Sequence, residues 1–496
     1  MLIFLITAFL LVVIIQWFVE SSYFERSAVA AKDGSKSSLY QITPLPYAKH
    51  VIIISLDTTR ADHLGCYGNS WIKTPNLDAL AAQGYLFENL YTPIPSTLAS
   101  HTTLFTGRQP RFHGVPNNSY YVSEDNILLT QILKKAGFTT LGFIGAAPLR
   151  TKTGFSRGFD FYDDDWLIDP AVDVTPRLQR SAAAVTDSVI AELEKIKLPE
   201  RLFLFVHYYD PHYHYLPREP WFSDYNDVDF SGMPYSYNSV TPASREGILF
   251  QKSKVGIVRR QYASEISYMD FHLGRLFEYL KKKNILDDAV VLVTSDHGEE
   301  LGERVRPTGH GATVFNIESH TVGILRLPDT HGGGTRINAA LGQESLMPTL
   351  LKYLSLKLPE HIQGSPLELG DINAFAGQYP LFCEATRWWK GDVPKGISSW
   401  PNMGKFRSIR GVRYKYMQSP QLGQDALFDM QNDPLERKNL LVEPSPEVLK
   451  MRQQMGTLLK EWSTRLGTII PQKPSSEDIN EQLEQLEALG YMKKNL

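Results

Sequence analysis

Three continuous apolar runs, widely separated in the sequence, constrain the fold of this chain more than any other feature. Each run is rich in β-branched residues and lacks polar–apolar alternation, which is typical of strands buried on both faces of a parallel sheet. Each is also followed within a few residues by an aspartate. The runs and their aspartates are 50–56 with Asp57, 202–206 with Asp210, and 289–294 with Asp296. Because the carboxyl ends of parallel strands meet at one sheet edge, the three acidic groups are expected to converge there.

An amphipathic helix separates the second and third runs. Ile266, Met269, Leu273, Leu276 and Leu280 recur at intervals of three and four residues, which predicts one apolar helix face. A strand, a helix and a further strand in this order favour a crossover connection and a parallel sheet.

The length of 496 residues suits one large α/β domain with a smaller one appended. After about residue 366 the pattern changes: residues 408–418 predict an exposed antiparallel strand, and residues 448–462 predict a helix. We therefore predict a main α/β domain at 47–365, a C-terminal α+β subdomain at 366–470 and a tail at 471–496.

The N-terminal segment differs from the rest of the chain. Residues 1–19 are almost entirely apolar, and their helical length nearly matches a hydrocarbon core of roughly 30 Å. Ala28-Val29-Ala30 resembles a signal-peptidase site, so a cleaved signal peptide is the alternative to a retained anchor. Because the apolar run ends well before that site, we predict a membrane anchor at 1–20, a polar linker at 21–46 and an exported catalytic domain.

The net charge and the cysteine count argue against two other classes of protein. The formal net charge is -3, whereas a nucleic-acid-binding protein would show a basic patch or a strong basic excess. The two cysteines, Cys66 and Cys383, are not part of a close-spaced set of Cys and His residues, as a structural zinc site requires. No nucleic-acid partner is therefore expected.

Two segments place polar groups where a metal ion or an anion would bind. Asp57 ends a buried strand, where a carboxylate is costly unless it is paired or metal-bound; capping of the following helix is the alternative. Thr97 stands at a predicted helix start, where free N–H groups favour an anion. A hydroxyl there can attack a bound phosphoryl group with the help of a metal ion. Taken alone, this segment also fits a plain N-cap.

Histidines add further candidate ligands. Asp296 and His297 are adjacent and can bind one ion, while Asp210 and His214 are four residues apart. His310 lies between two glycines. The Asp210–His214 segment alone also fits a packed polar rim, and a lone histidine such as His310 is more often structural. Mixed oxygen and imidazole ligands suit Zn²⁺ or Mn²⁺ best, and Ca²⁺ or Mg²⁺ are less natural but open alternatives.

From about residue 50 to 490 the chain resembles the sulfatase-type branch of the alkaline phosphatase superfamily. The motifs that carry this resemblance include ISLDTTRADHLGCYG at 54–68, SHTTLFTGRQPRFHGV at 100–115, FVHYYDPHYHY at 205–215 and VTSDHGEELGE at 293–303. The resemblance implies an α/β fold with a central mixed sheet between helices and a small C-terminal four-stranded subdomain.

The resemblance also implies a metal site with an attached nucleophile. Asp57, Asp296 and His297 match the metal ligands of the family, and Thr97 matches the nucleophile, whose oxygen also contacts the metal.

Further histidines match groups around the substrate. His212 matches a histidine that contacts the substrate oxyanion or the leaving group, and His310 falls near a residue that neutralises substrate charge. In two-metal relatives a second ion is bound by residues that correspond to Asp210, His214 and His310. One or two ions per chain are therefore expected.

The chain departs from sulfatases at the nucleophile motif. Those enzymes carry Cys (or Ser)-x-Pro-x-Arg, in which the first residue is oxidised to formylglycine. A gap-free count places Thr97 at the cysteine, Ala99 at the proline and His101, a further candidate catalytic residue, at the arginine. The second aspartate of the family's usual pair is Thr58. Threonine cannot become the aldehyde, and threonine nucleophiles are typical of phosphate-directed branches.

We therefore predict a metal-dependent hydrolase or transferase of phosphoesters that forms a phosphothreonine at Thr97. Its substrate would be a small-molecule, lipid or glycan ester. The alternatives are a sulfuric ester hydrolase that works without formylglycine and a membrane-tethered binding protein without activity.

Overall fold

The computed structural model describes residues 47–473 apart from residues 166–179, 229, 231–251, 305–307, 370–376, 378, 388–399 and 421–422. The predicted anchor at 1–20, the linker at 21–46 and nearly all of the predicted tail lie outside the described residues. Within the described part, no helix combines the length and the apolar character that a membrane span requires.

The described residues contain fifteen strands and ten α-helices. The strands are β1 His50–Leu56, β2 Tyr85–Phe87, β3 Leu90–Tyr91, β4 Thr139–Ile144, β5 Phe161–Asp163, β6 Leu202–Tyr208, β7 Ala289–Ser295, β8 His320–Thr321, β9 Gly323–Arg326, β10 Thr335–Ile337, β11 Leu341–Gly342, β12 Leu381–Glu384, β13 Arg407–Arg410, β14 Tyr414–Ser419 and β15 Gln424–Asp429. The helices are α1 Pro75–Ala82, α2 Thr97–Thr106, α3 Pro110–His113, α4 Leu129–Lys135, α5 Ala182–Lys195, α6 Trp221–Asp224, α7 Lys252–Lys282, α8 Asn316–Ser319, α9 Leu346–Tyr353 and α10 Pro446–Thr464.

The three apolar runs form adjacent strands in the middle of an eight-stranded sheet. The strand order is β10-β2-β9-β7-β1-β6-β4-β5. β1 pairs in parallel with both β6 and β7, whereas β9 is antiparallel to β7 and to β2, so the sheet is mixed. The predicted α/β fold class is confirmed, and the carboxyl ends of β1, β6 and β7 meet at one sheet edge.

Helices cover both faces of this sheet, which explains why the central strands show no alternation. Ile52, Ile54 and Leu56 of β1 belong to one core that also includes the apolar faces of α5 and α7. Val51 and Ile53 point the other way, into a second core with α2 and α9. Every residue of β1, β6 and β7 is buried, as the uninterrupted apolar runs predict.

A separate antiparallel sheet follows the main sheet in the sequence. Its strand order is β12-β13-β14-β15, and α10 packs on β13 and β14. The prediction of one exposed strand at 408–418 is wrong. The segment forms β13 and β14 with a turn at 411–413 between them, and both strands are largely buried. The four-stranded sheet and α10 lie within 366–470, while the exact domain bounds stay a prediction.

A buried ion pair links α3 to the small sheet. The Arg111 guanidinium is 2.7 Å from a Glu384 carboxylate oxygen, donates to the Ser463 carbonyl at 2.9 Å and stacks 4.4 Å from the Trp462 ring. Removal of one partner from such a pair leaves an uncompensated buried charge.

Replacement of Arg111 by methionine is therefore expected to lower the free energy of unfolding by about 3 kcal/mol or more. Urea unfolding at saturating metal measures the change. Arg413→Met is the control, because Arg413 pairs with Asp429 at 2.8 Å on the surface and such pairs contribute about 1 kcal/mol or less. Equal losses in the two variants would contradict the structural role of the buried pair.

Candidate metal centre

The loops that follow β1 and β7 bring Asp57, Asp296 and His297 together. One ligand atom of each side chain lies within 4.8 Å of the other two, and all three residues are buried. Among the residues that the structure describes, this is the one group of three or more His, Cys, Asp or Glu side chains with such spacing. The group contains two of the three acidic residues that the strand ends predict to converge, and Asp210 is not part of it.

The unpaired atoms of this group fit a metal ion. Both carboxylate oxygens of Asp57, Oδ2 of Asp296 and Nε2 of His297 are buried without a hydrogen-bond partner among the described residues. The Nδ1–H of His297 donates to the Gly298 carbonyl at 3.0 Å, so Nε2 keeps its lone pair. Buried acceptors left unpaired are costly, and a divalent cation would satisfy all of them at once.

The electrostatics of Asp57 support the same interpretation. Burial raises the pKa of its carboxyl well above the ordinary value, and the negative charges of Asp296 and Glu299 raise it further. The nearby Thr97 side chain acts in the opposite direction and lowers this pKa. A cation bound between these residues would lower the pKa of Asp57 again and keep its carboxylate ionised.

Thr97 is the first residue of α2 and lies beside Asp57. The N-cap of this helix is Ser96, whose side chain does not cap a backbone N–H. Asn118 does so instead: its Oδ1 accepts from the Leu98 N–H at 2.8 Å and from the Ser96 hydroxyl at 2.9 Å. The Thr97 side chain lies close to the candidate metal ligand Asp57 while Asn118 satisfies the helix end, which disfavours the alternative of a plain N-cap.

His101 lies one turn further along α2, beneath the site. Its Nδ1–H donates to the Thr97 carbonyl at 2.7 Å, and its Nε2 contacts the Ser55 hydroxyl at 2.8 Å. Both ring nitrogens are therefore engaged by protein groups. Through these two contacts, the His101 side chain links the first residue of α2 to the end of β1.

His212 and His310 lie at the same sheet edge as Asp57, Asp296 and His297. The His310 ring centroid is 4.2 Å from that of His297 and 5.3 Å from that of His212. The Nδ1–H of His212 donates to the Tyr213 carbonyl at 2.7 Å, and burial lowers the pKa of His212 to about 3. His212 is therefore neutral at pH 7 in the substrate-free protein, with the lone pair on Nε2.

The structure does not bring Asp210, His214 and His310 together as a second set of three ligands. Asp210 accepts from Arg218 at 2.6 Å and from the Ala182 N–H at 2.7 Å. These two bonds use both carboxylate oxygens of Asp210. His214 is exposed. The described residues thus contain one cluster with metal-ligand spacing, not two.

Comparison with known proteins identifies the protein family. A family profile described as "Sulfatase" matches residues 49–356. The chain belongs to the sulfatase family. An arylsulfatase of Clostridium perfringens is 25% identical over 452 residues, which cover 79% of this chain and 90% of that protein. The multifunctional alkaline phosphatase superfamily protein PehA of Trinickia caryophylli is 22% identical over 484 residues, with coverage of 80% and 92%.

Solved structures agree with this sulfatase fold. A phosphonate monoester hydrolase of Agrobacterium radiobacter superposes with a TM-score of 0.69 at 20% identity, and covers 86% of this chain and 100% of that one. A protein solved in complex with its substrate D-glucosamine-2-N,6-O-disulfate gives 0.67 at 19% identity, with coverage of 84% and 97%. At this identity the likeness shows the fold alone. The protein is an enzyme of the alkaline phosphatase superfamily, in the hydrolase class.

Three residues of this sulfatase-family site were not singled out from the sequence. Glu299 accepts from Nδ1 of His310 at 3.2 Å, and His207 lies 3.2 Å from Asp57. Arg387 comes from the segment after β12 and donates its backbone N–H to the Gly311 carbonyl at 2.7 Å. Its positive charge adds to the lowering, by burial, of the pKa of His212. Glu299 and His207 lie inside recognised motifs, whereas nothing in the local sequence marks Arg387.

Proposed function

We propose that this protein hydrolyses or transfers phosphoesters, such as phosphodiesters or phosphonate monoesters, with Thr97 as the nucleophile. The observation that carries the proposal is the placement of the Thr97 side chain beside Asp57, whose carboxylate lies together with Asp296 and His297. A threonine cannot supply the formylglycine on which sulfatases rely, but it can form a phosphoester with a transferred phosphoryl group.

In this proposal Asp57, Asp296 and His297 hold a divalent cation, Zn²⁺ or Mn²⁺ by ligand type. When bound, the cation lowers the pKa of the Thr97 hydroxyl and offsets negative charge on the transferring group. The Thr97 oxygen attacks phosphorus, the bond from phosphorus to the leaving oxygen breaks, and water or another alcohol then cleaves the phosphothreonine.

His212, His310 and Arg387 would interact with the negative charge of the substrate and of its leaving group. Arg387 and His310 stand where they can offset the charge of a tetrahedral anion. Because His212 is neutral without substrate, it can protonate a leaving group only after the bound anion has raised its pKa. His212 would otherwise accept a hydrogen bond at Nε2.

A panel of chromogenic substrates tests the proposal. The metal-loaded protein is assayed with bis(p-nitrophenyl) phosphate, p-nitrophenyl phenylphosphonate, p-nitrophenyl phosphate and p-nitrophenyl sulfate. We expect kcat/KM for the diester or the phosphonate to exceed that for the sulfate by about tenfold or more, which corresponds to about 1.4 kcal/mol of transition-state binding. A preference for the sulfate ester would overturn the proposal.

The second candidate function is hydrolysis of sulfuric esters of glycans without formylglycine. Relatives described as sulfatases of glycans support this second function. Two ulvan-active sulfatases of Formosa agariphila are each 24% identical to this chain. An N-acetylglucosamine-6-O-sulfatase of Bacteroides thetaiotaomicron is 22% identical. The same substrate panel separates the two functions, because the metal and the cationic groups would bind either tetrahedral anion.

We also propose that the catalytic domain is exported and held at a membrane by residues 1–20. The support is the apolar run of the first nineteen residues, which is long enough for a span. Fractionation of cells that express the full chain tests this: recovery with membranes after an alkaline carbonate wash is expected, and recovery in the soluble fraction would contradict it.

A further inference from the structure

Glu318 is a buried carboxylate of the short helix α8 to which the proposed mechanism gives no role. The residue is only 1% exposed. Its Oε2 accepts from the backbone N–H of Gly311 at 2.6 Å, and its Oε1 accepts from the Thr313 hydroxyl. Both oxygens of this carboxylate therefore hold the segment that directly follows His310.

Gly311 extends this contact to the segment that follows β12. Its carbonyl oxygen accepts from the backbone N–H groups of Thr386 at 2.8 Å and of Arg387 at 2.7 Å. The residue has a φ of +82°, and a Cβ atom on it would lie 2.5 Å from Thr386 Oγ1 and 3.2 Å from the Pro95 carbonyl oxygen. A side chain at Gly311 would push these segments apart, so the close approach depends on glycine.

The two residues that the proposed function assigns to the charge of the substrate anion are both attached to Gly311. His310 shares a peptide bond with it, and Nδ1 of His310 is 3.2 Å from Oε2 of Glu299. The Arg387 side chain also runs past this glycine, because its Cγ would lie 3.5 Å from a Cβ atom there. Glu299 thus contacts the His310 ring, whereas Glu318 holds the backbone that joins His310 to Arg387.

We propose that Glu318 is a positioning residue, which keeps His310 and Arg387 directed at the substrate anion by fixing the backbone of Gly311 between them. The inference rests on the proposed function, from which it takes the roles of His310 and Arg387. It assigns Glu318 no contact with the substrate or with the metal ion. Its loss is therefore expected to weaken the binding of tetrahedral anions and to leave metal affinity unchanged.

Three variants of Glu318 separate hydrogen bonding from charge. Glu318→Leu fills the space and removes both acceptor oxygens. Glu318→Gln keeps the length: its oxygen can accept from the Gly311 N–H while its amide donates to the Thr313 hydroxyl, which can also act as an acceptor. Glu318→Asp keeps the charge, but its shorter side chain cannot reach both donors. The comparison of glutamine with aspartate carries the test if the leucine variant does not fold.

Glu344 provides a matched control. It is also buried, and its Oε1 accepts from the side-chain amide of Gln109 at 2.8 Å. Gln109 follows the C-terminal end of α2, whereas Thr97 begins this helix. Glu344→Leu therefore removes a buried carboxylate away from the metal ligands, and it is expected to leave anion binding and metal affinity unchanged.

The measurements are the inhibition constant of inorganic phosphate, kcat and KM for the preferred ester of the substrate panel at saturating metal, and the Mn²⁺ affinity of the metal-stripped full chain. We expect Glu318→Leu and Glu318→Asp to bind phosphate about tenfold more weakly and to lose about 10- to 100-fold in kcat/KM, whereas Glu318→Gln should stay within about threefold of the wild type. Metal affinity should stay at the wild-type value in all three variants.

Wild-type phosphate inhibition in Glu318→Leu, or equal results in the glutamine and aspartate variants, would overturn the inference. An equal fall in metal affinity would also overturn it, because Glu318 would then support the whole site. Failure of the proposed function would differ: the wild type would prefer the sulfate ester, and the same variants would then be compared with that ester and with inorganic sulfate. A wild type that turns over no ester of the panel would remove both the proposed function and the inference.

Discussion

Replacement of Thr97 by alanine is expected to reduce turnover about a thousandfold or more while the protein stays folded and binds metal. In the proposed mechanism the variant loses the oxygen that forms the covalent intermediate, and nucleophile deletions in hydrolases cost at least this much. The helix itself should persist, because Asn118 and not Thr97 satisfies its first turn. The measurements are kcat for the preferred substrate, metal content and the thermal unfolding midpoint.

Two further variants make this result interpretable. Thr102→Ala removes another buried hydroxyl of the same helix, which donates to the Leu98 carbonyl at 2.7 Å. If only the Thr97 hydroxyl reacts, this variant should keep kcat within about threefold of the wild-type value. Thr97→Ser keeps a nucleophilic oxygen and should retain measurable turnover. Full activity of Thr97→Ala would exclude the nucleophile role. Mass spectrometry of rapidly quenched wild type should find one phosphoryl group on Thr97.

The main sheet and the meeting of Asp57 with Asp296 could be predicted because their signals are local. An uninterrupted β-branched run identifies a strand buried on both faces, and the aspartate after it follows from chain order. Asp57 and Asp296 therefore had to meet once β1 and β7 became parallel neighbours. The small sheet was harder to predict. A buried hairpin at β13 and β14 resembles one exposed strand when Arg410, Arg413 and Lys415 suggest solvent.

The supporting residues of the site could not be predicted, because their roles depend on partners far away in the chain. Asp210 looks like a metal ligand beside two histidines, yet Arg218 and the start of α5 use both of its oxygens. His101 stands in the place of a catalytic arginine, yet its ring bonds to Ser55 and Thr97. Hydrogen-bond partners of this kind are set by tertiary packing and leave no periodic signal.

The family does not decide between sulfur and phosphorus, and the physics of the site explains why. Sulfate and phosphate esters are both tetrahedral anions, so a divalent cation with nearby cationic side chains stabilises either one. The structural neighbours include a phosphonate monoester hydrolase as well as a protein that binds a disulfated sugar. The feature on which we base the choice of phosphorus is the proposed nucleophile, Thr97.

Replacement of Asp57 by asparagine is expected to abolish stabilisation by metal while it raises the stability of the metal-free protein. In the wild type, a free metal concentration about 100 times Kd should add about 2.7 kcal/mol to the free energy of unfolding. The variant loses a charged ligand, so the same metal concentration should add little. Without metal, the Asp57 carboxyl is buried near Asp296 and Glu299, which raises its pKa, and a neutral amide avoids that repulsion.

Thermal unfolding in chelator and in added Mn²⁺ or Zn²⁺ measures both halves of this prediction. Asp270→Asn is the matched control. Asp270 is also buried with a raised pKa of about 6, but its carboxylate accepts from the Leu77 N–H at 2.8 Å, away from the metal ligands. The control should be less stable than the wild type with and without metal, because an amide has one acceptor oxygen where the Asp270 carboxylate has two. Its metal-induced shift of the unfolding midpoint should match that of the wild type. An undiminished metal shift in Asp57→Asn would contradict the proposed site, because the loss of one of its two carboxylate charges should weaken cation binding strongly.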